Sequence, residues 1–103
     1  MSVLTITKEN FKTEVLASQQ PVLIDFWAPW CGPCRMVSPL VDEIAEEQDA
    51  VKVGKINVDE QPELAQEFSV MSIPTLMVFK NGAVVKKSVG AKGKEAILEM
   101  LEG

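Results

Sequence analysis

Histidine and tyrosine are absent from the 103 residues. Without imidazole there is no Ser-His or Cys-His nucleophile system, and the commonest metal ligand is missing. Chemistry has to rest on thiols, carboxylates, lysines or backbone groups. Basic clusters are absent as well: the chain has 15 Asp and Glu against 10 Lys and Arg, a formal net charge of −5. Such a chain suits neither a phosphate backbone nor an anionic bilayer, so no nucleic-acid partner is expected. No apolar run approaches bilayer-spanning length, and no membrane partner is expected either. The opening MSVLTITKEN lacks a basic n-region and a long apolar h-region. This argues against a secretory signal and for a cytoplasmic location. Cysteine is scarce, with two residues. In a reducing cytosol a thiol pair points to redox or metal work more than to a permanent cross-link.

What is present is an ordinary globular composition, 47% hydrophobic and 24% charged, of a length that fits one domain over residues 1–103. No repeat, low-complexity tract or linker is visible, and nothing in the pattern suggests an oligomer. Strand-like and helix-like segments alternate. VLTI (3–6) reads as a short strand, followed by Thr7 as N-cap of a helix that turns Phe11, Val15 and Leu16 inward. VLIDFW (22–27) is nearly continuous in apolar residues, as a strand covered on both faces should be. A helix pattern from about Pro33 to Gln48 carries Val37, Leu40, Val41, Ile44 and Ala45 on one side. Pro39 lies inside it and should kink it. VKVGKINV (51–58) reads as a strand, and Pro62 opens a short helix with Leu64, Ala65 and Phe68 inward. TLMVF (75–79) and AVVKKSV (83–89) flank Asn81-Gly82, a type I′ hairpin signal. A last helix, about Lys92 to Glu102, should bury Ala96, Ile97, Met100 and Leu101. The order βαβαβαββα predicts an α/β fold: a central mixed β-sheet flanked by helices on both faces. Strands separated by helices are expected to pair in parallel, and the final hairpin antiparallel.

Both cysteines lie in FWAPWCGPCRMV (26–37), at the strand-to-helix junction. As a staple the pair would do little. A loop this short loses roughly 2 kcal/mol of chain entropy, which ring strain can cancel. Structural zinc normally takes four thiolate or imidazole ligands, and the chain offers two; no metal is expected. A redox pair explains the placement. Cys31 falls just before or at the first turn of the helix, where unpaired N–H groups and the helix dipole favour a thiolate. A strand-to-helix junction also sits at the sheet edge, where Cys31 is expected to lie open to a partner, and Cys34 stands nearly one turn further on, on the same side, with its sulfur in reach but more buried. Pro33 suits the helix start.

WCGPC (30–34) resembles the active site of the thioredoxin family. The match continues through DFWAPWCGPC (25–34), the lysine of KINVD (55–59), IPT (73–75), FKNG (79–82) and VGA (89–91), in the family's order and spacing over essentially the whole chain. The resemblance implies a thioredoxin fold and an active-site loop of Cys31, Gly32, Pro33 and Cys34. Protein disulfide isomerase is similar but carries a histidine between its cysteines. Two departures stand near the implied contact surface: Pro29, where many members carry an acidic or polar residue, and Met71-Ser72, where some have a basic residue followed by glycine.

Asp25 is the odd residue in VLIDFW. It is either a solvent-facing strand position or, if both faces are covered, a buried carboxyl with a raised pKa. The resemblance implies the second, with Asp25 behind Cys34 assisting its deprotonation, and places the Lys55 ammonium near Asp25, where it opposes that rise. It also implies a cis Ile73–Pro74 peptide bond. Trp30, Ile73 and Pro74 would then form an apolar collar that takes a client chain as a short strand, with Gly90 and Ala91 completing the contact. Gly90 read alone is compatible with a simple turn. Trp27 and Pro39 read as packing and kink, and EIAEEQD (43–49) as a solvated helix face.

The expected activity is reduction of disulfides in client proteins: Cys31 attacks, Cys34 resolves the mixed disulfide, Asp25 moves the proton and Lys55 tunes Asp25. No bound cofactor is required, and the resemblance implies a thioredoxin reductase as electron donor. The alternatives are a disulfide oxidase or isomerase, differing in redox poise, and a thiol-independent protein-binding module.

Overall fold

The computed structural model describes residues 3–102. Five strands, β1 (Leu4–Thr5), β2 (Val22–Trp27), β3 (Lys52–Asn57), β4 (Thr75–Lys80) and β5 (Ala83–Val89), form one sheet in the order β1-β3-β2-β4-β5. Three α-helices, α1 (Gly32–Glu47), α2 (Pro62–Glu67) and α3 (Lys94–Met100), and a short π-helix at Lys12–Leu16 cover it. Among the described residues no helix is long and apolar enough to cross a membrane.

The element order is the expected one, and the sheet is mixed with helices on both faces. One pairing differs. β1, β3 and β2 are parallel, but β4 runs antiparallel to β2 although α2 separates it from β3. α2 spans only six residues and returns the chain on the other side of β2, so the parallel-crossover argument does not apply. β5 then pairs antiparallel with β4 through Asn81 and Gly82. Both have positive φ (53° and 80°), the left-handed pair a type I′ turn requires.

β2 lies in the middle, and its alternation divides the core. Ile24 and Phe26 point to the layer of the π-helix and α2, with Ile6, Phe11, Val15, Ile56, Leu64, Met77 and Phe79. All four phenylalanines of the chain meet there. Phe68 stands 5.3 Å from Phe11 and 5.4 Å edge-on to Phe79, with Phe26 beyond at 6.4 Å. Leu23, on the opposite face, packs with Val53, Leu76 and Val78 under Val37, Val41 and Ile44 of α1 and Ile97 of α3. Each such side chain, fully buried, contributes about 1.5–3 kcal/mol. α3 is also tied to α1 by Lys94, which pairs with Glu43 at 3.0 Å and Glu47 at 2.7 Å. Two members of the acidic 43–49 run are therefore partnered.

The first helix is shorter than its pattern suggests. Its regular part starts at Lys12, and Ala17 N–H reaches back five residues to the Lys12 carbonyl (2.9 Å). Thr7 takes part through its backbone: its carbonyl accepts from Phe11, and its N–H donates to Asn10 Oδ1 at 2.7 Å. The wider π turn rotates Leu16 outward to 38% exposure. α3 begins two residues later than expected and fully buries Ile97, with Ala96, Met100 and Leu101 half-buried. α1 continues through Pro39 without interruption.

Candidate active site

β2 ends at Trp27 and the chain turns through Ala28, Pro29 and Trp30 into α1. Cys31 is the N-cap residue of that helix, extended (φ −89°, ψ 111°), with Pro33 in its first turn. The N–H of Cys34, otherwise without an intrahelical partner, donates to Cys31 Sγ at 3.2 Å. Sulfur thus occupies the place a serine or aspartate oxygen takes at other helix starts. The helix's positive end and a directed donor both face the Cys31 sulfur, and both favour negative charge on it. Cys31 and Cys34 are joined as a disulfide with Cα atoms 5.3 Å apart.

Both cysteines are buried: Cys31 is 4% exposed and Cys34 2%. The expectation of an open leading sulfur is corrected. Ala28 packs with the pair, and Trp27, Val58 and Ile73 close around it. The Ile73 carbonyl oxygen lies 3.8 Å from Cys31 Sγ. Three large apolar side chains close in sequence to the cysteines or to Ile73 are exposed: Trp30 at 67%, Met36 at 70% and Met71 at 91%. The Trp30 indole N–H donates to Asp59 Oδ2 at 2.9 Å, which fixes an exposed ring that would otherwise rotate freely.

The Ile73–Pro74 peptide bond is cis. The Pro74 carbonyl accepts from the N–H of Gly90 (2.8 Å). Gly90 has φ +96°, a conformation L side chains rarely adopt. That bond holds the 89–91 loop against the 73–75 segment, with Ala91 exposed beside it.

Asp25 lies on the sheet face that α1 covers. It is fully buried, and neither oxygen has a hydrogen-bond partner among the described residues. Desolvation raises its pKa from 3.8 to about 7; the Lys55 ammonium opposes the rise and the Asp42 carboxylate adds to it. Lys55 stands opposite Asp25 in the parallel β2–β3 register. Its ammonium nonetheless bonds to α1: it donates to Ser38 Oγ and pairs with Asp42 Oδ1 at 3.0 Å.

Three residues at this site went unread in the sequence: Asp59, Ser38 and Asp42. The last two had a signal. Cys34, Ser38 and Asp42 recur every fourth residue, which sets them along one stripe of α1. Asp59 had none, since nothing local ties it to Trp30. A cleft of about 650 Å³, lined by Pro21, Val51, Glu99 and Leu101 among others, opens at the far end of the sheet and holds no thiol.

The chain matches the family model for thioredoxin over residues 2–103. It is 55% identical to a thioredoxin of Pyropia yezoensis over 102 residues, 98% of this chain and 95% of the relative. It is 54% identical to thioredoxin 1 of Nostoc sp. over 98 residues, 94% of this chain and 92% of the relative. A bifunctional thioredoxin reductase/thioredoxin of Mycobacterium leprae is 52% identical over 99 residues, which are 95% of this chain and 22% of that protein. With a paired Cys-x-x-Cys at a helix start and the Pyropia and Nostoc thioredoxins matched over nearly their full length, the chain belongs to the thioredoxin family and is a protein-disulfide reductase working by dithiol/disulfide exchange.

Proposed function

We propose the following division of labour within that exchange. In the reduced protein Cys31 is the nucleophile. Its thiolate attacks one sulfur of a client disulfide; a Cys31–client bond forms, the client S–S bond breaks, and the departing client sulfur takes up a proton. Cys34 then gives its proton to the Asp25 carboxylate and attacks Cys31 Sγ. The Cys31–Cys34 disulfide forms, the Cys31–client bond breaks, and the second client sulfur leaves as a thiolate that takes up the proton Asp25 received. Two electrons pass to the client, whose first thiol draws its proton from solvent and whose second draws it from Cys34 by way of Asp25. The observation that carries this reading is the cap: Cys31 Sγ accepts the Cys34 N–H at the start of α1, an interaction that strengthens when the sulfur is negative.

Asp25 is suited to the proton step because burial brings it to about 7, where it can both accept and release a proton near neutrality. Lys55 limits that displacement. Clients dock on Trp30, Ile73, Pro74, Gly90 and Ala91. With Cys31 so nearly covered, a client disulfide has to seat its own chain closely against Ile73 and Trp30 before sulfur meets sulfur. A thioredoxin reductase returns the electrons; the Mycobacterium leprae relative, which by its name joins both activities in one chain, supports such a partner. A single domain with both its cysteines in the reactive pair suits a reducing cytoplasm.

The test is trapping. Cys34→Ser, exposed to a cell extract, should accumulate mixed disulfides with clients through Cys31, and Cys31→Ser should not. Equal trapping by both variants, or by neither, would refute the assigned roles.

A further inference from the structure

Lys55 and Asp25 are side-by-side neighbours in a parallel pair of strands, within reach for a long, flexible side chain. The ordinary outcome would be a buried ion pair. Instead the ammonium is bound to two groups of α1, Ser38 Oγ and Asp42 Oδ1, and both Asp25 oxygens stay without a partner among the described residues. The charged and titratable groups around Asp25 are few. Among the described residues the charges that reach Asp25 are those of Lys55 on β3 and Asp42 on α1, and its register neighbour on β4, Leu76, is neutral. Burial sets most of the displacement of the Asp25 carboxyl, and among the described residues Lys55 is the cation that opposes it, so where that ammonium is held tunes the carboxyl.

We propose that Ser38 and Asp42 are positioning residues: they hold the Lys55 ammonium on α1, so that the neighbouring Asp25 carboxyl keeps both oxygens unpaired. The consequence for the reaction rests on the reading of Asp25 as the proton acceptor of Cys34. The spacing of Cys34, Ser38 and Asp42 sets the resolving thiol, the anchor and the solvent-side carboxylate along one stripe of the same helix. Asp42, at 55% exposure, is screened by water and holds the ammonium weakly. Ser38, half-buried and closer to Cys34 along the helix, carries more of the restraint.

The experiment follows the Asp25 carboxyl by carbon-13 NMR across pH in the disulfide form of the full chain, where no thiol titrates. Freed from Ser38, Lys55 swings toward Asp25, so Ser38→Ala should lower the carboxyl midpoint by about one pH unit, the low end of what a close opposite charge produces. Asp42→Asn should lower it too, since it both loosens the lysine and removes a like charge. Lys55→Met should raise it. In the Ser38→Ala/Lys55→Met double variant the midpoint should equal that of Lys55→Met, because without the lysine the hydroxyl has nothing to position. Ser38→Thr, which keeps the hydroxyl, should match the parent. An unchanged midpoint in Ser38→Ala, or an equal shift with and without Lys55, would overturn the proposal. The pH profile of mixed-disulfide resolution is read separately. If the carboxyl moves while that profile stays fixed, the positioning stands and Asp25's role in proton transfer falls.

Discussion

Asp25 and Lys55 face each other across the β2–β3 register, yet the lysine is bound to α1 and the carboxyl to no group among the described residues. A buried, unpartnered acid at the centre of a sheet is a cost to the fold. Moving its pKa from 3.8 to about 7, at about 1.4 kcal/mol per pH unit, costs the folded state up to about 4 kcal/mol once the group is ionised.

The sign of the pH dependence follows. Desolvation raises the folded pKa above the unfolded one, so between the two the folded state binds more protons than the unfolded chain. Stability falls as pH rises from about 4 to about 7 and levels off above. Asp25→Ala should remove that slope and gain stability at alkaline pH, by an amount below the full 4 kcal/mol because a small cavity remains. Urea unfolding of the oxidised parent and variant at several pH values checks this. A parent curve that rises across the interval would contradict it.

Trp30 is held by Asp59 through one charge-assisted hydrogen bond of 2.9 Å. Asp59→Ala should leave the ring free to rotate and raise KM for a protein disulfide roughly 3- to 10-fold, the effect of about 1 kcal/mol. Turnover with a small aromatic disulfide, which needs no docking surface, should change little. Equal losses on both substrates would place the effect in the chemistry instead.

Much of this site could be read from the residues because its parts are local. β2 spans the predicted residues, α2 opens at the predicted Pro62 but ends at Glu67, one residue before Phe68, and the Cys31 cap follows from a cysteine set just before Gly32-Pro33 at a helix start. Buried Asp25 followed from an acid in a run with no free face. The rest depended on tertiary placement. The direction of β4 is set by the end of the sheet at which the chain re-enters, with Thr75 beside Phe26 near the end of β2, which no local pattern encodes. The burial of Cys31 comes from Ile73 and Val58, 42 and 27 positions away in sequence. Lys55's attachment to α1 needed the register and the helix stripe together.

Met71 is 91% exposed beside the docking segment. An exposed thioether adapts its shape to varied apolar partners. Met71→Lys should change stability by no more than about 0.5 kcal/mol while shifting preference toward acidic clients. Competition between an acidic and a neutral client peptide disulfide, compared by kcat/KM at low and high salt, reads the shift. A preference unaffected by salt would argue against the surface role.

The central claim is that the amino end of α1 stabilises the negative charge of Cys31 while the fold restricts its approach. The direct measurement is the alkylation rate of reduced protein against pH, with the modified cysteine identified by mass spectrometry and a compact reagent compared with a bulky one. The account predicts that Cys31 reacts first, with an inflection below that of free cysteine at about 8.5, and that the bulky reagent lags. An inflection at or above that of free cysteine, or first modification at Cys34, would contradict it.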